Sequence, residues 1–160
     1  LSNNASVAGD GVYVLGVTYA SVADRLIGFA GARGLRNIGV VYQAGLDGEA
    51  GRSAVETATV ARDSTLAGSA SYPLTIDGIG SVTNEIAGQL RSSGANAVVF
   101  TDTPTAGLGF ITAGLRSAGL GESAFQFIGL TRWDASAETL AQPSLPLIRW
   151  PLRMAASMCW

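Results

Sequence analysis

The side chains able to do chemistry in this chain are carboxylates, hydroxyls, amides and arginines. The 160 residues include no histidine and no lysine; all ten basic residues are arginine, and the one cysteine, Cys159, is penultimate. Without histidine, neither a Ser-His-Asp nor a Cys-His arrangement can be built within the chain. The common zinc sites fail for the same reason. Without lysine there is no Schiff-base nucleophile and no phosphate-loop cation. The useful groups fall just behind short apolar runs. Thr18 and Tyr19 follow Val12–Val17; Gln43, Asp47 and Glu49 follow Ile38–Tyr42; Thr101, Asp102 and Thr103 follow the run from Ala97; Thr131, Arg132, Trp133 and Asp134 follow Phe125–Leu130. Such residues can bind a small polar solute. A carboxylate accepts from an ammonium group, a hydroxyl or amide orients, an arginine forks onto a carboxylate and an indole stacks.

Each also has a plainer role. Asp102, beside Pro104, and Asp134 suit helix N-caps. Thr18 and Thr101 can simply end strands, Trp133 can pack at a rim, and Arg132 can stay solvated. Three motif resemblances fail. GLDGEAGRS at 45–53 echoes a phosphate loop, but both its spacing and its cation are wrong. No GxGxxG follows an apolar run. A phospho-acceptor receiver needs acids after its first strand and a lysine after its last, and this chain has neither.

The elements that must position these groups alternate. Val12–Val17 reads as a strand, and Ala20–Arg33 as an amphipathic helix capped by Thr18 or Ser21 and ended by Gly34. Ile38–Tyr42 reads as a strand buried on both faces, 43–49 as a loop, and 50–62 as a helix with Ala50, Ala54, Ala58 and Ala61 inward. Residues 69–74 read as a weak strand, placed at an edge by Pro73. A helix capped by Ser81 and stopped by Gly94 precedes the strand 97–101. A helix from Pro104 to about Gly119 precedes the strand 125–130, and 134–141 is a short helix. Strict β-α alternation with short links predicts an α/β fold: a doubly wound, mainly parallel five-stranded sheet with helices on both faces. Strands 38–42 and 97–101 are its central pair, and ligands bind at the carboxyl ends of such a pair.

Composition agrees. The chain is 48% hydrophobic and 14% charged, with net charge −2 and mean hydropathy +0.31. That excludes intrinsic disorder and disfavours a nucleic-acid partner. The opening LSNNASVAGDG has neither the basic start nor the apolar core of a signal peptide, and no apolar run is long enough to span a membrane. The abrupt opening reads as a piece of a longer protein.

Three stretches carry a resemblance: VYVLGVTYASVADRLIGFAGARGLRNIGVVYQ, GLDGEAGRSAVETA and EIAGQLRSSGANAVVFTDTPTAGLGFITAGLRSAGL. Together they are similar to the second lobe of type I periplasmic binding proteins, the leucine/isoleucine/valine-binding family. The opening LSNNASVAGDGVYVLG and GLTRWD at 129–134 resemble the subgroup of lipoprotein activators of penicillin-binding proteins. The resemblance covers about residues 1–145. It implies one lobe of a bilobed, non-enzymatic protein that closes on its ligand like a hinge. The aromatic–glycine pair common after the strand matching 38–42 is here Asp47 and Gly48. Residues 1–146 are then the lobe. Residues 147–160 (LIRWPLRMAASMCW) depart from the family pattern and read as a cloning scar or an altered reading frame.

The resemblance implies a periplasmic or extracellular solute-binding lobe of an ABC-type transporter, for amino acids or related small solutes. It implies no cofactor, no metal and no catalysis. Its ligand-facing candidates are Thr18, Tyr19, Gln43, Asp47, Thr101, Asp102, Thr103, Arg132 and Trp133. Its partners are the solute, shared with a first lobe, and a membrane permease. An alternative is a lipoprotein that regulates a peptidoglycan synthase by direct contact. An α/β enzyme using Asp47 or Asp102 as general base is the weakest option, because a carboxylate would have to perform every proton transfer.

Overall fold

The computed structural model describes residues 5, 8–9, 11, 16–73, 75–101, 109–120 and 125–131. The elements run α1 (Tyr19–Ala32), β1 (Asn37–Gln43), α2 (Leu46–Ala61), β2 (Thr65–Tyr72), α3 (Ile76–Ser92), β3 (Ala97–Phe100), α4 (Gly109–Ser117) and β4 (Gln126–Gly129). The four strands form one parallel sheet in the order β2-β1-β3-β4. The expected alternation and the central pair are therefore both present.

Strand periodicity divides the core in two. Ile38 and Val40 of β1, Ala97 and Val99 of β3 and Ile128 of β4 face Ala23, Ile27 and Ala30 of α1 with Val55 and Ala58 of α2. Val41, Val98, Phe100 and Phe127 face the other way, onto Ile86, Ala87 and Leu90 of α3 with Ile111 and Leu115 of α4. Phe100 and Phe127 meet edge to face, with centroids 5.2 Å apart and planes at 79°. Strands buried on both faces explain the unbroken apolar runs at 38–42 and 97–101.

The structure corrects several boundaries. The outer strand spans Thr65–Tyr72 rather than 69–74, because Pro73 has no N–H to extend the ladder. The second helix begins at Leu46, so Asp47 and Glu49 lie in its first turn and not in a loop. Its buried side is Gly48, Gly51, Val55, Ala58 and Thr59, while Ala50 and Ala54 are half-buried and Ala61 is exposed. The third helix begins at Ile76 under a Thr75 cap; Ser81 lies inside it and donates to the Gly78 carbonyl at 2.9 Å. Four strands are described where five were expected. Most of the expected first strand (12–15), the Pro104 helix start, the helix 134–141 and the tail 147–160 lie outside the described residues.

Candidate functional site

In a parallel sheet every helix runs back against the strands, so all four helices begin at the carboxyl edge. At that edge the central strands β1 and β3 diverge in connection: β1 leads outward to β2, and β3 leads the other way to β4. This is the switch point, where a doubly wound fold leaves an opening for a ligand.

Helix α2 starts there in an unusual way. Its N-cap is Gly45, at φ 144°, with no side-chain hydrogen bond to the first turn. That φ belongs to the region open chiefly to glycine. The helix then presses on the strand ends through two more glycines. A methyl on Gly48 would overlap the Gln43 carbonyl oxygen, and one on Gly51 would lie 2.7 Å from Thr101 Cβ and 3.3 Å from Leu130 Cδ2. Gly48 and Gly51, three apart, are therefore on the side of the helix that faces the sheet. In the sequence these glycines belong to the stretch GLDGEAGRS, which lacks the spacing and the cation of a phosphate loop. Their own spacing was the available sign that helix backbone comes close to the strand ends.

Thr101 sits beneath this start. Its N–H donates to the Val41 carbonyl at 3.2 Å, which ties it to β1 just past the end of β3. Strand alternation turns its side chain to the α2 face, against Gly51. The residue is 3% exposed, and its hydroxyl has no hydrogen-bond partner among the described residues. A buried hydroxyl in that state carries a desolvation penalty unless something else meets it.

The other candidates are placed as follows. Thr18 is the N-cap of α1: its Oγ1 accepts from the Ser21 N–H at 3.3 Å. Tyr19 opens α1 and packs half-buried against the α1–α2 core. Gln43 ends β1, half-buried, beside the Gly48 backbone. Asp47 is exposed in the first turn of α2, where a carboxylate complements the helix dipole. Gln43, Asp47 and Thr101 thus gather at the β1–β3 switch point. Thr18 and Tyr19 stand at the neighbouring start of α1 and share one groove with Leu46. Asp102, Thr103, Arg132 and Trp133 lie outside the described residues.

One nearby cation is already engaged. Arg52 Nε donates to Glu49 at 2.9 Å and its Nη1 to Glu56 at 2.8 Å, with the guanidinium 6.0 Å from the centre of the Tyr42 ring. The hydrogen bond to Glu49 is the largest of several effects that hold the Arg52 pKa above its ordinary value. Arg52 is thereby committed to its own helix. No cap side chain covers the first turn of α2 at the switch point.

A family model described as "Periplasmic binding protein" matches residues 2–152. The chain belongs to the periplasmic binding protein family. Solved structures agree in fold. A branched-chain amino acid ABC transporter periplasmic ligand-binding protein from Burkholderia xenovorans superposes with TM-score 0.60 at 17% identity, over 72% of this chain and 30% of that one. A substrate-binding periplasmic protein from Ralstonia solanacearum gives TM-score 0.58 at 22% identity, over 74% and 31%. An ABC transporter substrate-binding protein from Desulfitobacterium hafniense, in complex with Leu, gives 0.56 at 15% identity, over 71% and 32%. No curated protein matches the chain significantly. The periplasmic binding protein chain here thus spans less than a third of the length of these structural neighbours.

Proposed function

We propose that this chain is one wall of a solute site, the second lobe of an ABC-type periplasmic binding protein for amino acids or related small solutes, without catalysis. The observation that carries the reading is the start of α2. Uncapped N–H groups lie at the β1–β3 switch point, over a buried threonine hydroxyl that no described residue satisfies. Family membership and the leucine held by one structural neighbour support the solute class. Gln43, Asp47 and Thr101 line the wall and Thr18 and Tyr19 flank it; Asp102, Thr103, Arg132 and Trp133, which follow β3 and β4 in the sequence, are the remaining candidates. The location that follows is periplasmic or extracellular, and the partners are a first lobe and a permease. The three neighbours described above are ligand-binding or substrate-binding proteins by description.

Calorimetry tests this. A single wall leaves the solute wet on one side, so the 160-residue chain should bind leucine no tighter than about 1 mM, equivalent to about 4 kcal/mol. A full-length parent should bind far more tightly. Where the solute is an amino acid, its ammonium group should be held by Asp47, Thr101 or Asp102, and replacing the one that holds it with alanine should cost about 1.5–3 kcal/mol. Micromolar binding by this chain alone would contradict the half-site reading. A parent that ignores amino acids but retains a peptidoglycan synthase would move the assignment to regulation.

A further inference from the structure

The outer edge of the sheet has a feature unrelated to the solute wall. Among the described residues β2 is the outermost strand, and its eight residues, TLAGSASY, contain neither a charge nor a proline. Edge strands are commonly protected by lysine, proline, short length or a bulge. Here the protection is a bulge at Ala67, where the pairing jumps from Ile38↔Leu66 to Gly39↔Gly68, and Pro73 just past the end. Between them, residues 68–72 form a regular, uncharged stretch. β4, at the other side of the described sheet, is half as long.

The direction of the backbone groups on this stretch follows from one hydrogen bond. The Tyr72 carbonyl accepts from the Ala44 N–H at 2.8 Å, so residue 72 points its polar backbone inward, toward β1. With a period of two, residues 70 and 68 do the same. Ser69 and Ser71 therefore aim their N–H and C=O groups out of the sheet, and both have small, exposed side chains.

The stretch Gly-Ser-Ala-Ser-Tyr is also self-matching. An antiparallel two-fold axis through Ala70 sets Ser69 opposite Ser71 of a second copy, and Ser71 opposite Ser69. Each such pair can exchange both of its backbone hydrogen bonds. Gly68 falls opposite Tyr72, so the ring meets a residue without a side chain. No like charges face each other, which is the condition an identical strand must meet to pair with itself. We propose that this edge pairs with a second copy of the chain about Ala70, joining the two sheets into one across a closed two-fold interface.

Sedimentation velocity on the chain from micromolar to millimolar concentration tests the pairing. A concentration-dependent dimer is expected. Ser69→Pro and Ser71→Pro each remove an outward N–H that the β1–β2 ladder does not use, so each should weaken association at least tenfold with an unchanged far-ultraviolet spectrum. The double variant Ser69→Asp, Ser71→Asp leaves every N–H in place and sets carboxylates against each other across the axis. It should be monomeric, and it decides the matter where a proline variant misfolds. A chain that stays monomeric throughout, or a dimer that these variants do not weaken, would overturn the proposal.

Discussion

Helices α2 and α3 both begin at the carboxyl edge of the same sheet, and they begin in opposite ways. α3 closes its own first turn: the Thr75 hydroxyl accepts from the Gly78 N–H at 3.1 Å. α1 does likewise through Thr18. α2 has a glycine cap with no side chain to offer, and it starts over the central strand pair rather than the outer strand. Relative to a serine or threonine cap, a glycine cap gives up a few tenths of a kcal/mol. The helix without a side-chain cap is the one that starts at the switch point, where the proposed reading sets its first N–H groups toward the solute. Asp47 and Glu49 in its first turn offset part of the loss through the helix dipole without covering the end.

The sharpest way to break this contrast is to exchange the glycine logic of the two helices. Gly48→Ala forces a methyl into the Gln43 carbonyl, a backbone atom that cannot swing aside. Loss of about 3 kcal/mol is expected in urea unfolding, the upper end of the range for overpacking. Gly51→Ala should lose less, because the atoms it meets are side-chain carbons of Thr101 and Leu130. Gly88, inside α3, has nothing within 4 Å of the same position and is exposed. Gly88→Ala should therefore stabilise the chain, by about 0.5–1 kcal/mol, through helix propensity alone. Equal effects at Gly48 and Gly88 would remove the case for close approach at α2.

Next in size is Thr101→Val. It keeps the shape and deletes a buried hydroxyl that lacks a partner among the described residues. The isolated chain should gain about 1 kcal/mol of stability, while a full-length parent should bind its solute more weakly. A loss of stability in the chain would show that the hydroxyl is satisfied within the fold, and the site argument would lose its main support.

Much of this was legible beforehand, for identifiable reasons. The runs IGVVY and AVVF are continuously apolar because their strands are buried on both faces, and that property marks the central pair, while the strict β-α alternation predicts the parallel sheet. Gln43, Asp47 and Thr101 are candidates by position, as the polar residues following those strands. The start of α2 was not found. Its glycines lower local helix propensity, so the segment 43–49 read as a loop, while tertiary packing against Thr101 and Gln43 supplies what propensity lacks. The start of α3 was set too late for a related reason: Gly78 and Gly80 dilute the apolar period, and the cap at Thr75 lies before them. Thr18 was identified both as a cap and as a site residue; the structure shows the cap.

The smallest expected effect concerns the outer face, where α1 and α2 are joined by an ion pair instead of by glycine contacts. Arg62 Nε donates to Asp24 Oδ1 at 2.7 Å, and Arg62 Nη2 to Asp24 Oδ2. The hydrogen bond from Arg62, with its charge, holds the Asp24 carboxyl below its ordinary value of 3.8. A carboxyl whose pKa is depressed in the folded state contributes stability that is present above the unfolded pKa and lost as pH falls through the folded one. The contribution of this pair is therefore intact at neutral pH and disappears below about pH 4. Arg62 itself is shifted upward and stays charged throughout that range. Both side chains are more than two-fifths exposed, so water and salt screen the pair and its effect is small. Urea midpoints for the chain and for Asp24→Asn, taken at pH 7 and pH 3, should differ more at pH 7 than at pH 3, and that difference should shrink in high salt. A gap of the same size at both pH values would mean that α1 and α2 are held by Ile27, Ala30, Val55 and Ala58 alone, with the bridge contributing nothing to their contact.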